Sequence, residues 1–152
     1  MISTGEEALK KETVHMTGIL IVTHSQLGNA LIDAAVFILG CRPENILPIS
    51  IDLNENAGKL RSKIESGIKE VGKDNKVLIL TDMFGGTPSN LSYSFLEEGR
   101  VEVLSGVNLP VLIKAVKDRD SMELDKLAAG LEAFGKKSIS LASGILRGNK
   151  RE

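Results

Sequence analysis

Two uninterrupted apolar runs, Gly18-Ile19-Leu20-Ile21-Val22 and Val77-Leu78-Ile79-Leu80, each break off into a polar turn that opens a helical pattern. A short apolar run bounded by polar residues marks a strand buried on both faces. Such strands belong to parallel sheets whose two sides are covered by helices. The chain therefore reads as an α/β domain with its loops at the carboxyl ends of the strands as the places for chemistry.

The second run continues into Thr81-Asp82-Met83-Phe84-Gly85-Gly86-Thr87-Pro88-Ser89-Asn90. Gly85 and Gly86 permit backbone angles and close approaches that a side chain forbids. Thr87 reads as the N-cap and Pro88 as the first residue of a helix, where a missing N–H costs nothing. Free backbone N–H groups then stand directly beyond a strand end, a setting that favours an anion.

Around this loop the chain alternates strand and helix. After the first strand and Thr23-His24-Ser25, Leu27, Ala30, Leu31, Ala34, Ala35, Ile38 and Leu39 follow helical spacing, closed by Gly40. Ile46 to Ile51 forms a strand whose Pro48 belongs on a sheet edge, and it ends at Asp52. A helix from about Asn56 places Ala57, Leu60, Ile64, Ile68 and Val71 on one face, with Gly72 just past its end. Val101 to Leu104 is a fourth strand, and Ser105-Gly106-Val107-Asn108-Leu109-Pro110 leads into a short helix through Lys117. Asp120 and Glu123 read as a capping box for a helix with Leu124, Leu127, Ala128, Leu131 and Phe134 on its buried face. Lys137-Ser138-Ile139-Ser140-Leu141 alternates as a weaker fifth strand. The expected fold is a doubly wound, mainly parallel five-stranded sheet of order 2-1-3-4-5, which sets strands one and three side by side at the switch point. His24 and Asp82 then become neighbours.

Composition narrows the function. At 152 residues the chain fits one domain, and a net charge of -1 with 3% aromatics offers no case for nucleic acid or an acidic membrane surface. No run approaches the roughly 18 apolar residues of a membrane span, and the lone Cys41 has no disulfide partner and reads as inert, so a cytoplasmic protein is expected. Residues 1–15 are polar, without the apolar core of a secretory signal, and read as a flexible arm containing an incidental His15. The domain is expected over 16–146, with 147–152 a polar tail. Neither a Walker lysine motif nor a metal-ligand cluster occurs, so no cofactor and no metal are expected.

A neutral imidazole attacks phosphorus, and a carboxylate on its other nitrogen fixes the tautomer and stabilises the charge that builds on the ring. His24 and Asp82 supply those roles, while Thr87 adds a hydroxyl donor beside the amides of the glycine turn. Taken singly, His24 also reads as a solvated loop residue, Asp82 as a turn cap, Asp52 as a structural helix-entry residue and the Gly85-Gly86 turn as a helix entry. Their convergence at one switch point carries the functional reading. A flavodoxin-like cofactor binder is disfavoured, because Thr23-His24-Ser25-Gln26-Leu27-Gly28 is no flavin phosphate loop and one Tyr with no Trp leaves little to stack on a flavin. A receiver domain is disfavoured because the first strand ends in Thr23-His24 and not in an acidic pair.

Three segments together resemble the IIA component of the mannose family of the bacterial phosphoenolpyruvate-dependent sugar phosphotransferase system. They are Gly18 to His24 with its Ala34-Ala35 helix, Thr81 to Asn90, and Ser105 to Pro110, and the likeness runs from Met16 to about Gly144. The resemblance implies that His24 is phosphorylated on Nε2 and oriented by Asp82. Thr87, with Gly85, Gly86 and Ser25, would then lie around the phosphoryl group. It implies a donor, the histidine-containing phosphocarrier protein, and an acceptor, a IIB component, here a separate chain since no IIB segment follows. It also implies a homodimer in which the last strand, about Ser138 to Ala142, adds to the partner's sheet, and contact with a membrane only indirectly through a permease. Ser25 stands where the family often has glycine, and Ser89 where an apolar residue is usual. A regulatory binding protein that senses phosphorylation without passing the group to sugar is the competing function.

Overall fold

In the computed structural model, which describes residues 16–73 and 75–148, four strands form one wholly parallel sheet of order β2-β1-β3-β4. They are β1 (Gly18–His24), β2 (Ile46–Ile51), β3 (Val77–Thr81) and β4 (Val101–Ser105). The helices are α1 (Leu27–Leu39), α2 (Ala57–Gly72), α3 (Thr87–Tyr93), α4 (Leu109–Asp118), α5 (Leu124–Lys137) and the short α6 (Ala142–Leu146). The expected arm at 1–15 with His15, and all but the first two residues of the tail, lie outside the described residues.

The two-residue period of a strand divides the core between the faces. Ile19, Ile21, Leu78 and Leu80 pack with α1, α4 and α5, whereas Leu20, Val22, Val77 and Ile79 pack with α2. All eight side chains are essentially fully buried. Each contributes roughly 1.5–3 kcal/mol relative to exposure, so the central strands are the most firmly held part of the molecule. Pro48 sits in β2, an edge strand as expected. At the opposite end of the sheet from His24, buried Arg119 donates to the carbonyls of Thr17, Glu44 and Asn45, tying the entries of β1 and β2 together.

The predicted fifth strand does not form. Residues 138–141 leave α5 without strand pairing, Ile139 and Leu141 are 80% and 77% exposed, and α6 follows. Alternation records that one face of a segment wants burial, but a strand also needs a paired neighbour, and among the described residues this segment pairs with none. The sheet is thus four-stranded, and β4 ends it with an open edge.

Three helix boundaries also shift from expectation. The carbonyl of Gly86 accepts from Asn90 N, so Gly86 is the N-cap of α3 and Thr87 is already helical. Glu123 caps α5 without a side-chain cap bond, because its carboxylate pairs with Lys76 in place of a backbone N–H, and no capping box with Asp120 forms. Gly72 is the last residue of α2, and Lys73 takes the left-handed position after it. Asn56 does cap α2, accepting from Lys59 N at 2.8 Å.

Gly18 allows α2 to lie directly on the start of β1. A Cβ there would stand 2.3 Å from the carbonyl oxygen of Val71, a helical backbone atom with little room to move. Gly18→Ala is expected to destabilise the fold by about 3 kcal/mol, the upper range for overpacking a core. Urea unfolding checks this; a midpoint within error of the parent would show that the helix shifts freely.

Candidate functional site

The register of the sheet brings the site together. Val22 stands opposite Thr81 across the β1–β3 pair, so Asp82 comes level with Thr23 and within hydrogen-bond reach of His24, the next residue, at the carboxyl edge. His24 ends β1 and Asp82 directly follows β3, the adjacent central strands from which the chain winds in opposite directions, the switch point of a doubly wound sheet. The strand order and this pairing are as expected for the four strands that form.

Asp82 holds His24 twice through one oxygen. Oδ2 accepts from the backbone N of His24 at 2.9 Å and lies 2.7 Å from Nδ1, while Oδ1 accepts from Met83 N at 3.0 Å. A carboxylate only accepts, so the imidazole carries its proton on Nδ1 and leaves the Nε2 lone pair free. The His24 side chain is 35% exposed and that of Asp82 10%, which leaves the ring accessible and shelters the group that orients it.

Burial of the Asp82 carboxyl pushes its pKa up, but the hydrogen bonds from His24 N and Nδ1, the charge interaction with His24 and the bond from Met83 N together outweigh this. Its pKa lies below the ordinary carboxylate value. On acidification the unfolded chain therefore takes up this proton first, at about pH 4, and the stability that ionised Asp82 contributes falls as the pH drops through the folded-state value. We expect the urea midpoint to decline between about pH 5 and pH 3, with a smaller decline in Asp82→Asn; equal declines would remove Asp82 as a source.

Gly86 lies against the imidazole. A Cβ on it would come 3.0 Å from Cε1 and 3.6 Å from Nε2, so the missing side chain keeps the outer edge of the ring open. Gly85, with φ +81° and open space around its missing Cβ, serves the turn through its backbone conformation alone. Ser25 holds a left-handed φ of +50° beside His24, which costs a residue with a side chain roughly 1–2 kcal/mol. It marks where the chain turns sharply from β1 into α1. Neither Ser25 nor Thr87 hydrogen-bonds to His24 or Asp82, so the direct contacts join His24, Asp82 and Gly86, with Met83 bonded behind the carboxylate.

Several residues have roles that no spacing announced. Thr23 accepts from Gly28 N at 2.9 Å, capping the first turn of α1 from within β1. Leu27 at the start of α1, Leu53 in the β2–α2 loop, and Met83 and Phe84 in the β3–α3 loop are large apolar residues left exposed at this edge of the sheet. Apolar side chains in polar turns at strand ends were the available sign. Among the described residues no group of three or more His, Cys, Asp or Glu is arranged to hold a metal ion, and no helix is long and apolar enough to cross a membrane.

A four-stranded doubly wound domain with a carboxylate-held histidine at its switch point is the class that fold and site define. Residues 18–132 match the family model described as "PTS system fructose IIA component". The chain is 30% identical over 129 residues to the fructose-specific EIIA component of Bacillus subtilis, covering 84% of this chain and 88% of that one. It is 31% identical over 123 residues to the mannose-specific EIIAB component of Escherichia coli K12, covering 80% of this chain and 38% of that longer one. The crystal structure of phosphotransferase system component EIIA from Streptococcus agalactiae superposes with a TM-score of 0.75 at 27% identity, over 84% of this chain and 98% of that one. The chain belongs to the mannose-type IIA family of phosphotransferase-system components.

Proposed function

We propose that His24 carries a phosphoryl group from the histidine-containing phosphocarrier protein to a IIB component, in the cytoplasm. The observation that carries this reading is the 2.7 Å contact between Nδ1 and Asp82 Oδ2, with Nε2 beside a residue that has no side chain. The lone pair of Nε2 attacks the phosphorus of the donor's phosphohistidine. A new N–P bond forms on His24 as the donor's N–P bond breaks, and the donor imidazole leaves with that electron pair. The proton on Nδ1 stays in its bond to Asp82, whose negative charge offsets the positive charge on the phosphorylated ring. The first-turn amides of α3, which a helix cannot satisfy itself, follow Gly86, the cap that lies against the ring, and would suit the phosphoryl oxygens, with the Gly85-Gly86 backbone, the Thr87 hydroxyl and Ser25 around them. Onward transfer repeats the step in reverse on a new acceptor.

The test is intact-mass analysis after incubation with phosphoenolpyruvate, enzyme I and the phosphocarrier protein. One acid-labile, base-stable phosphoryl adduct per chain is expected. Its absence with competent donors and folded protein would favour the regulatory binding reading.

The same reading makes the protein a homodimer through β4. The edge of β4 is open, and a cleft of about 480 Å³ runs beside it, lined among others by Val103, Leu104, Leu131 and Ile139. The exposed, alternating Ile139 and Leu141 would gain burial as an added strand on a partner. Sedimentation equilibrium should give twice the chain mass; a monomer at tens of micromolar would remove this part of the proposal.

A further inference from the structure

The segment carrying Asp82 is anchored on both sides by one side chain. Thr81, the residue before Asp82, is fully buried, and its hydroxyl donates to Ser105 Oγ at 2.8 Å. Its carbonyl accepts from Gly106 N and Val107 N at 3.0 and 2.9 Å. Ser105 Oγ in turn lies 3.2 Å from the hydroxyl of Tyr93, either atom being able to donate. On the far side of Asp82, the ring of Phe84 packs against Tyr93 with centroids 6.2 Å apart and planes inclined at 45°. Tyr93 thus reaches the strand end through Ser105 and the loop through Phe84.

The same residue closes a second connection. It is the last residue of α3, whose N-cap Gly86 lies against the His24 imidazole. The helix is therefore set by the imidazole at one end and by Ser105 at the other. A short seven-residue helix has little internal cooperativity, so its placement depends on what its ends touch. Three hydroxyl groups at the margin of a core are also informative in themselves. Apolar residues of similar shape would fill the space with no polar group to satisfy, whereas a linked set of hydroxyls specifies one arrangement.

We propose that Tyr93 is a positioning residue for the His24–Asp82 pair, acting through Ser105 and Thr81 on one side and Phe84 on the other. The proposal rests on the reading of that pair as the phosphoryl carrier. Displacement of Asp82 by a few tenths of an ångström would weaken its hold on Nδ1, release the ring to its other tautomer and occupy Nε2 with a proton. Tyr93 makes no hydrogen bond to His24 or Asp82; its effect is transmitted through the backbone of 81–86.

The experiment compares Tyr93→Phe, Ser105→Ala and Ser105→Thr with the parent. The NMR shifts of the two His24 ring nitrogens in the unphosphorylated proteins report the tautomer, and the rate of phosphoryl uptake from the phosphocarrier protein is measured under conditions where each variant is folded. Tyr93→Phe and Ser105→Ala are expected to raise the population protonated on Nε2 and to slow uptake about 3- to 10-fold, the scale of one lost hydrogen bond. Ser105→Thr, which keeps a hydroxyl, should restore both. Unchanged ring-nitrogen shifts in the first two variants would overturn the proposal, even with slower uptake, since the residues would then act on stability or docking. Altered shifts in a protein whose parent form takes up no phosphoryl group would uphold the positioning role and remove the carrier reading.

Discussion

His24→Ala is expected to abolish phosphoryl uptake while the protein stays folded. Among the described residues His24 is the only histidine, and none of the other groups in contact there, the Asp82 carboxylate, the Gly86 backbone and Met83, is a nitrogen nucleophile. The fold should survive because the residue lies at the last position of β1 with a third of its side chain exposed, away from both apolar cores. Its backbone N still donates to Asp82, so the loss is a single side-chain hydrogen bond, about 1 kcal/mol. Intact mass with and without donors reads the chemistry, and thermal unfolding reads the fold. A phosphoryl adduct that persisted in this variant would place the acceptor elsewhere and sink the assignment.

Asp82→Asn is expected to slow uptake by roughly 10²–10⁴-fold with little change in size or shape. The carboxylate accepts three hydrogen bonds, two from His24 on Oδ2 and one from Met83 N on Oδ1. An amide offers one accepting oxygen and one NH₂ group, so either orientation sets a donor against a donor. With NH₂ toward His24, it favours the tautomer whose Nε2 is protonated and cannot attack. With oxygen toward His24, Nδ1 keeps its bond, but the negative charge that offsets the phosphorylated ring is gone. Rapid-quench measurement of the uptake rate, together with the His24 ring-nitrogen shifts, separates these routes. A rate within about threefold of the parent would mean that Asp82 only shapes the turn.

Much of this arrangement was legible before any coordinates. The two apolar runs could belong only to strands covered on both faces, and Pro48 marked β2 as an edge because a central strand needs the N–H that proline lacks. Asn56 and Gly40 marked a helix start and a helix end through local hydrogen bonding and a left-handed φ, features decided within a few residues. The juxtaposition of His24 and Asp82, 58 residues apart, followed once a doubly wound order was assumed.

What escaped the sequence has a common physical cause. The segment at 138–141 shows alternation, yet strand formation is a property of two backbones, and among the described residues this segment pairs with no strand. Glu123 reads as half of a capping box until Lys76, distant in sequence, takes its carboxylate. Thr87 reads as a cap until the hydrogen bond from Asn90 to Gly86 starts the helix one residue earlier. The close approach of Gly18 to Val71, the seating of Gly86 on the imidazole and the link from Tyr93 through Ser105 to Thr81 all join residues from different elements. The amino-acid order by itself determined which stretches are buried, where the chain turns and which side chains can do nucleophilic chemistry, because those depend on apolar patterning, backbone preference and functional-group type. Only the tertiary structure decided the strand count, the hydrogen bonds that select the His24 tautomer and the residues that hold Asp82 in place, because each depends on distances between atoms that the chain brings together only when folded.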